Sequence, residues 1–123
     1  MNEVVLRALR EDQTIDITTT GRKTGRLRRI EIWFHNVDDR IFITGLPGKR
    51  DWYANMLANP HFIFHLKNTV HADLPAKAIP VVDETQRREI LGRIILTLDA
   101  PQDFEAWVAD SPLVEVEFTE PVS

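Results

Sequence analysis

Cysteine is absent from this sequence of 123 residues, and so are long apolar runs. Without cysteine the chain has no disulfide, no thiolate metal ligand and no thiol nucleophile, which is compatible with a reducing compartment. The N-terminus has neither a charged leader nor a long apolar segment, and no run elsewhere reaches bilayer-spanning length. We therefore expect a soluble, cytoplasmic protein with no integral membrane segment.

The sequence also has no excess of positively charged residues. Fifteen Lys and Arg residues oppose nineteen Asp and Glu residues, which gives a formal net charge of −4. A general nucleic-acid coat protein carries a basic surface, so this balance argues against nucleic acid as a partner. The sequence has no internal repeat and no linker-like segment, and its length is near that of a common single domain. We expect one domain over residues 1–123.

Strand-like alternation of apolar and polar residues dominates the first two thirds of the chain. In residues 14–20, for example, Ile15, Ile17 and Thr19 share one face. The other predicted strands are residues 29–35, 40–44, 61–66, 70–81 and 114–118. Pro75 and Pro80 predict that strand 70–81 is interrupted or lies at an edge, because proline lacks the N–H that a ladder needs. About six strands favour a small closed or half-closed barrel of the mainly β (α+β) class.

Helical signals are fewer. Asp51 is placed to cap a short helix that ends near Ala58, before an Asn-Pro pair. Asp83 and Gln86 resemble a capping box in front of residues 84–98, whose apolar stripe predicts a helix that covers the sheet. Residues 101–107 can form one more short helix. We therefore expect two or three short helices outside the barrel.

The most informative stretch is residues 18–29, TTTGRKTGRLRR, which combines five cations with two glycines. It joins the first two predicted strands. Gly21 and Gly25 allow positive φ and close backbone approach, so main-chain N–H groups can converge on one ligand while nearby cations supply charge. A phosphate fits that description, and a solvated basic hairpin is the alternative.

Two motifs in this chain resemble the deazaflavin-dependent nitroreductase family. Residues 19–25 read TTGRKTG, with Arg28 three positions later, and residues 52–60 read WYANMLANP. Met56 stands where leucine is usual in the second motif. The resemblance covers residues 14–121. It implies a split β-barrel of the kind that binds flavins, and an oxidoreductase that uses coenzyme F420 to reduce a small planar acceptor such as a quinone, an enone or a nitro compound.

The resemblance also implies cofactor-binding residues. Lys23 and Arg28 match the positions that grip the coenzyme phosphate. Other implied contacts are the neighbouring loop residues Arg22, Thr24 and Gly25, the ring contacts Gly45, Leu46 and Gly48, and the tail contact Lys49 or Arg50. We also expect Trp52, Tyr53 and Trp33 to wall the cofactor groove. The segment 44–51 is several residues shorter than in many relatives. Residues 99–107 lack the tyrosines that some nitroreductase members place beside the substrate, which puts nitro reduction in doubt.

We assign no catalytic side chain and no metal ligand. The sequence offers no convincing nucleophile or acid–base pair, and in this family the cofactor carries out the hydride transfer. His61 and His65 share one face of a predicted strand but stand about 13 Å apart, too far to bind one metal ion. His35 and His71 are single polar residues in predicted strands.

Three other functions stay open. FMN can replace F420, because both present a ribityl phosphate beneath a tricyclic ring. A split barrel can also bind flavin, haem or fatty acid without turnover. The basic stretch as a nucleic-acid contact is the weakest reading, since no aromatic residue is interleaved with its cations. Split-barrel flavoproteins often pair, so a homodimer is possible.

Overall fold

The protein is described by a computed structural model that covers residues 1–119. Its six strands are β1 (Thr14–Thr20), β2 (Leu27–Val37), β3 (Arg40–Thr44), β4 (His61–Leu66), β5 (Ala72–Pro80) and β6 (Leu113–Phe118). Its helices are α1 (Glu3–Glu11), α2 (Asp51–Ala58), α3 (Glu84–Ile95) and α4 (Phe104–Asp110). Residues 120 and 121, the end of the stretch that carries the resemblance, lie outside the described part.

The strands form an antiparallel barrel in the order β1-β2-β3-β6-β5-β4, closed by pairing of β1 with β4. The predicted mainly β barrel is therefore confirmed. Alternate residues point inward, so Ile15 and Ile17 are fully buried. Phe64 lies at the centre of the interior, edge-on to Phe34 and Phe118 with ring centroids 5.4 and 5.3 Å away. Within residues 1–119, no helix has the length and apolar content needed to cross a bilayer.

The N-terminal helix α1 was not predicted. Asn2 caps it, since its Oδ1 accepts a hydrogen bond of 2.9 Å from the amide of Val5. The helix buries Val5, Ala8 and Leu9 against the barrel core. These positions have the i, i+3, i+4 spacing of an amphipathic helix, but the segment has only nine residues, fewer than the window over which such a period is usually recognised.

The prediction that strand 70–81 is interrupted or lies at an edge was wrong. β5 pairs with β4 on one side and with β6 on the other. Pro75 is tolerated because the register of β5 with β6 ends at Ala76 opposite Phe118, so its missing N–H falls just beyond that ladder. Its carbonyl still accepts a hydrogen bond of 3.0 Å from the amide of Thr119.

β2 changes partner midway, so the barrel is closed through the second half of β2 while an opening remains beside its first half. Its first seven residues, from Leu27 to Trp33, pair with β1, whereas Phe34–Val37 pair with β3. β3 has only five residues, so among the described residues no strand borders the other edge of the first half of β2. Ile30 and Trp33 are exposed there. The opening lies beside the chain that leaves β3 at Thr44.

Candidate functional site

The basic loop between β1 and β2 spans residues 21–26 and is held by its own hydrogen bonds. The amide of Gly21 donates to the carbonyl of Arg26 at 2.8 Å, and the amide of Gly25 donates to the carbonyl of Gly21 at 2.9 Å. Gly25 has φ of 70°, a left-handed conformation that favours glycine. Gly21 lets the backbone and the Thr24 side chain pack closely against it, since a Cβ there would lie 3.1 Å from both Arg26 O and Thr24 Oγ1. The turn is therefore tight and preformed.

Asn55 of α2 anchors this loop. Its Oδ1 accepts hydrogen bonds from the amide of Arg22 at 3.1 Å and from Arg22 Nη1 at 2.9 Å. Asn55 is buried, and Arg22 Nη2 also lies 3.3 Å from Asp51 Oδ1. The amide and the guanidinium of Arg22 are therefore both engaged with α2. The prediction that Asp51 caps this helix was wrong, because α2 begins at Asp51, its N-cap is Arg50, and no side chain caps it.

Lys23 and Arg28 are two of the three cations of residues 18–29 that remain available, and the third, Arg26, does not line the cleft described next. Neither the Lys23 nor the Arg28 side chain makes a hydrogen bond or an ion pair within residues 1–119. Both line a cleft of about 230 Å³, here called the basic cleft. Its lining residues are Gly21, Arg22, Lys23, Thr24, Arg28, Asp51 and Asn55. Arg28 reaches it from β2, where it pairs with Thr19 of β1. The predicted loop residues are thus brought together, except that Gly25 is not in the lining.

The loop leaves two main-chain donors for a ligand. The amides of residues 21, 22, 25 and 26 are all bonded within the protein, the last of them to Thr24 Oγ1 at 3.2 Å. Within the described residues, the amides of Lys23 and Thr24 have no acceptor. An anion in the basic cleft can therefore meet two side-chain cations and two amides, opposed by the single carboxylate of Asp51.

The shortened segment between β3 and α2 folds back on itself. Arg50 donates from Nη1 to the carbonyl of Lys49 at 2.8 Å and from Nη2 to the carbonyl of Leu46 at 3.1 Å. Gly48 has φ of 127°, and its amide donates to the carbonyl of Asp110 at 3.0 Å. Arg50 thus stabilises the turn, and Leu46 stands exposed at its tip.

A second and larger cleft of about 680 Å³, here called the α4 cleft, lies on the far side of this segment. Gly48, Lys49 and Tyr53 line it together with residues that follow β5 and α4. Tyr53 lies on a different face of α2 from Asp51 and Asn55, so the two clefts flank that helix. The structure therefore separates Lys49 from Lys23 and Arg28, which line the basic cleft.

The three predicted aromatic walls occupy different places. Trp52 belongs to the core, 7% exposed, with its ring edge-on to Tyr53 at 5.9 Å between centroids. Trp33 is half exposed on β2 opposite Thr14, at the opening of the barrel wall. Only Tyr53 borders one of the two clefts, and Trp52 supports it from behind.

Among the histidines, His65 has a structural role. Its Nε2 lies 2.7 Å from Thr18 Oγ1 and its Nδ1 lies 2.6 Å from Asp73 Oδ1, so the ring joins β1, β4 and β5. His35 is partly covered on β2, and this burial lowers its pKa because the charged imidazolium loses hydration. His61 and His71 are exposed.

Asn55 and Arg87 are two polar lining residues of these clefts that were not predicted. Asn55 is the asparagine of the second motif, and its position one turn after Asp51 was the available signal. Arg87 of α3 lines the α4 cleft and is nearly buried. Its sequence signal was its place on the same stripe as Ile90, Leu91 and Ile94, where an arginine is unusual.

The comparisons with known proteins give the family through a family model and the fold through solved structures. A family model described as F420H(2)-dependent quinone reductase matches residues 2–117. A solved structure named F420 reductase superposes with a TM-score of 0.69, at 20% identity over 93% of this chain and 92% of that one. A conserved hypothetical protein from Mycobacterium tuberculosis superposes with a TM-score of 0.72, at 14% identity over 98% of this chain and 82% of that one. These two likenesses establish the fold, and the family match spans nearly the whole chain.

Proposed function

The chain belongs to the F420H(2)-dependent quinone reductase family, and on that premise we propose that it passes hydride from reduced coenzyme F420 to a small planar acceptor such as a quinone. The resemblance read from the two sequence motifs is confirmed at the level of the family. The observation that carries the proposal is the pair of available cations in the basic cleft, Lys23 on the loop that Asn55 holds in place and Arg28 on β2.

The basic cleft fits the phosphate of such a cofactor. Its volume of about 230 Å³ exceeds what a phosphate group needs, and its donors are two cations and two free amides. Hydrogen bonds between charged donors and phosphate are stronger than neutral ones, and arginine can bind two oxygens at once. Arg22 contributes charge from a fixed position, since its amide and its guanidinium are both tied to Asn55.

We propose that the cofactor ring lies along the opening beside the first half of β2. Gly45 and Leu46 leave β3 at that point, and Gly48 completes the turn. Trp33 offers an exposed aromatic surface on the neighbouring strand, while Trp52 acts from the core by supporting Tyr53. Lys49 as a contact of the acidic tail stays a prediction, and its place in the α4 cleft requires the tail to pass around the 45–50 segment.

The cofactor, when bound, supplies the hydride. The protein's part is to fix the phosphate, to cover one side of the ring and to leave the other side open to the acceptor. Reduction of a quinone to a quinol also takes up a proton, and in this proposal the proton comes from water at the exposed opening. His65 is unsuited to deliver it because both its ring nitrogens are engaged.

The test is anaerobic turnover of reduced F420 with a soluble quinone, followed by the visible absorbance of the oxidised cofactor. His35→Ala, His61→Ala and His71→Ala should each keep activity within about tenfold, less than the usual loss of a general acid or base. Lys23→Ala should lose activity at low cofactor concentration and recover at high concentration. Abolished turnover in a histidine variant that still binds reduced cofactor would make that histidine catalytic.

FMN is the second candidate cofactor. The short 45–50 segment favours FMN, because Arg50 donates hydrogen bonds to the carbonyls of Lys49 and Leu46. Fewer of its donors are then left to bind a long acidic tail. Binding of FMN in preference to F420 in the same assay would select it. Binding of a flavin, haem or fatty acid without oxidation by any quinone, enone or nitro compound would instead identify a carrier.

A further inference from the structure

The 45–50 segment is fastened to a distant part of the chain. Thr44, the last residue of β3, is buried, and its Oγ1 donates a hydrogen bond of 2.6 Å to the carbonyl of Pro112. The amide of Gly48 donates to the carbonyl of Asp110 at 3.0 Å. Both acceptors lie where α4 ends and β6 begins, at residues 110–112, here called the 110–112 turn. The chain from Thr44 to Gly48 is therefore held to this turn at both ends.

The other hydrogen bonds of the 45–50 segment are local among residues 1–119. Arg50 donates to the carbonyls of Lys49 and Leu46, and its own carbonyl accepts from the amide of Ala54 at 3.2 Å. These bonds fix the shape of the segment and its connection to α2. The position of its first half therefore depends on the 110–112 turn.

Arg87 of α3 holds the 110–112 turn from the opposite side. Its guanidinium donates to the carbonyl of Ser111 at 2.7 Å and to those of Trp107 and Val108 at 3.2 and 2.8 Å. A fourth bond of 2.9 Å reaches the carbonyl of Val81, just after β5. The planar guanidinium has five N–H donors in a fixed fork, so it can hold several carbonyls in one arrangement. Its charge also lies at the C-terminal end of α4, where the helix dipole favours a cation.

The three successive carbonyls of the 110–112 turn are all engaged. Those of Asp110 and Pro112 accept the two bonds from the chain at Thr44 and Gly48, and that of Ser111 accepts from Arg87. Loss of any of these donors would leave a carbonyl of the turn without its partner, at a cost in free energy that favours rearrangement. The turn therefore links α3 mechanically to the 45–50 segment.

We propose that Thr44 and Arg87 are positioning residues for the reductase, which act through the 110–112 turn to hold the 45–50 segment against the cofactor ring. The inference rests on the proposed function, since that function places the ring beside Gly45, Leu46 and Gly48. The chemistry is the one given above, in which hydride passes from reduced F420 to the quinone and water supplies the proton. Because a displacement of about 1 Å can slow such a transfer by about 100-fold, the position of this segment affects the rate.

Thr44 and Arg87 should affect hydride transfer without affecting the grip on the phosphate. Neither residue lines the basic cleft, so Lys23 and Arg28 keep their positions when the 110–112 turn moves. A residue needed only for folding would instead lower binding and rate together.

The main test variant is Thr44→Val, which keeps the shape of the side chain and removes the donor to Pro112. Thr44→Ser keeps the hydroxyl. Thr18→Val is the matched control, because Thr18 also gives up one side-chain hydrogen bond, to His65, but lies on β1, across the barrel from β6. The two valine variants should lose similar amounts of thermal stability.

The first readout separates cofactor binding from transfer. The dissociation constant for F420 is measured by tryptophan quenching, and the rate of transfer by single turnover of bound reduced F420 with saturating soluble quinone. Thr44→Val should slow the single turnover at least about tenfold, because the ring contacts shift. Its dissociation constant should stay within about threefold of the parent, since the phosphate donors are unchanged. Thr44→Ser should restore the rate, and Thr18→Val should keep it.

The second readout needs no cofactor. Amide hydrogen exchange at Gly48 reports directly on its bond to Asp110. Thr44→Val should speed this exchange at least about tenfold, because the bond opens more often when the turn is loosened. Arg87→Lys should do the same, since an ammonium group keeps the charge but lacks the fork that holds four carbonyls. Thr18→Val should leave the exchange unchanged.

Several outcomes would overturn the inference. They are a parental single-turnover rate in Thr44→Val, an equal slowing in Thr18→Val, a loss that saturating F420 restores, or parental Gly48 exchange in both Thr44→Val and Arg87→Lys. Failure of the proposed function gives a different result, because the parent itself would then neither bind nor oxidise reduced F420, and this inference would fall with it.

Discussion

Removal of the Asn55 side chain should loosen the basic loop and destabilise the fold. Asn55 is 3% exposed and accepts one hydrogen bond from the amide of Arg22 and one from its guanidinium. A neutral hydrogen bond contributes about 1 kcal/mol and one to a charged group about 1.5–3 kcal/mol. Because the Arg22 side chain is 33% exposed, water replaces part of the second bond. For Asn55→Ala we therefore expect the free energy of unfolding to fall by about 2–3 kcal/mol.

Asn55→Asp is the matched variant. It keeps an acceptor oxygen of the same shape toward Arg22, and it adds negative charge to the lining of the basic cleft. Its unfolding free energy should stay within about 1 kcal/mol of the parent, since a paired carboxylate replaces the amide oxygen. Its affinity for F420 should nevertheless fall at least about tenfold, because the new charge repels the phosphate.

Urea unfolding followed by tryptophan fluorescence measures the first quantity, and titration with F420 measures the second. The reasoning fails if Asn55→Ala unfolds with the parental free energy, because the loop would then not depend on this anchor. It fails equally if Asn55→Asp binds F420 as tightly as the parent does, because no anion would then lie near the cleft.

Three further outcomes follow from single side chains. Asp51→Asn removes the carboxylate that lines the basic cleft, so F420 should bind a few-fold more tightly; weaker binding in this titration would contradict the cleft assignment. His35 has a pKa below its ordinary value of 6.5 because of burial. The unfolded chain therefore binds a proton at His35 at higher pH than the folded protein does, so the free energy of unfolding falls as pH drops through that region. Urea unfolding at about pH 7.5 and 5.5 should therefore show a larger loss for the parent than for His35→Gln, and equal losses would refute the burial argument. Arg87→Met should lower the free energy of unfolding by about 3 kcal/mol or more, since four hydrogen bonds to buried carbonyls are lost, and a neutral result in calorimetry would show that Arg87 is not needed for folding.

Local pattern was sufficient to predict most of the barrel. The alternation in residues 14–20 matches β1, and the strands at 40–44 and 61–66 begin and end where the structure has them. β1 buries one face, so a period of two is written directly into its residues, whereas β3 and β4 are buried largely on both faces and are marked by their β-branched and aromatic residues. β2 was predicted too short because its ends carry Leu27 and Arg28 on one side and Asn36 and Val37 on the other, where burial is slight and the period weak.

Contacts between distant parts of the chain were not predictable in this way. The pairing of Arg22 with Asn55 joins residues 33 positions apart, and it depends on how α2 seats against β1. The guanidinium of Arg87 is buried where the carbonyl of Val81 and three carbonyls at and just after the end of α4 converge, which no local pattern reveals. Pro75 was misplaced for the same reason, since only the register of β6 shows that its missing N–H is not needed.

The central claim is that Lys23 and Arg28 bind the phosphate of F420, and a salt-dependent titration tests it most directly. Purified parent, Lys23→Ala and Arg28→Ala are titrated with F420 and with FMN by tryptophan quenching, with Lys77→Ala on β5 as a control for loss of a lysine elsewhere. We predict that each cleft variant loses about 1.5–3 kcal/mol of binding free energy, that Lys77→Ala binds as the parent does, and that added salt weakens parental binding. Parental affinity for both cofactors in both cleft variants would contradict the claim and make the loop a solvated hairpin.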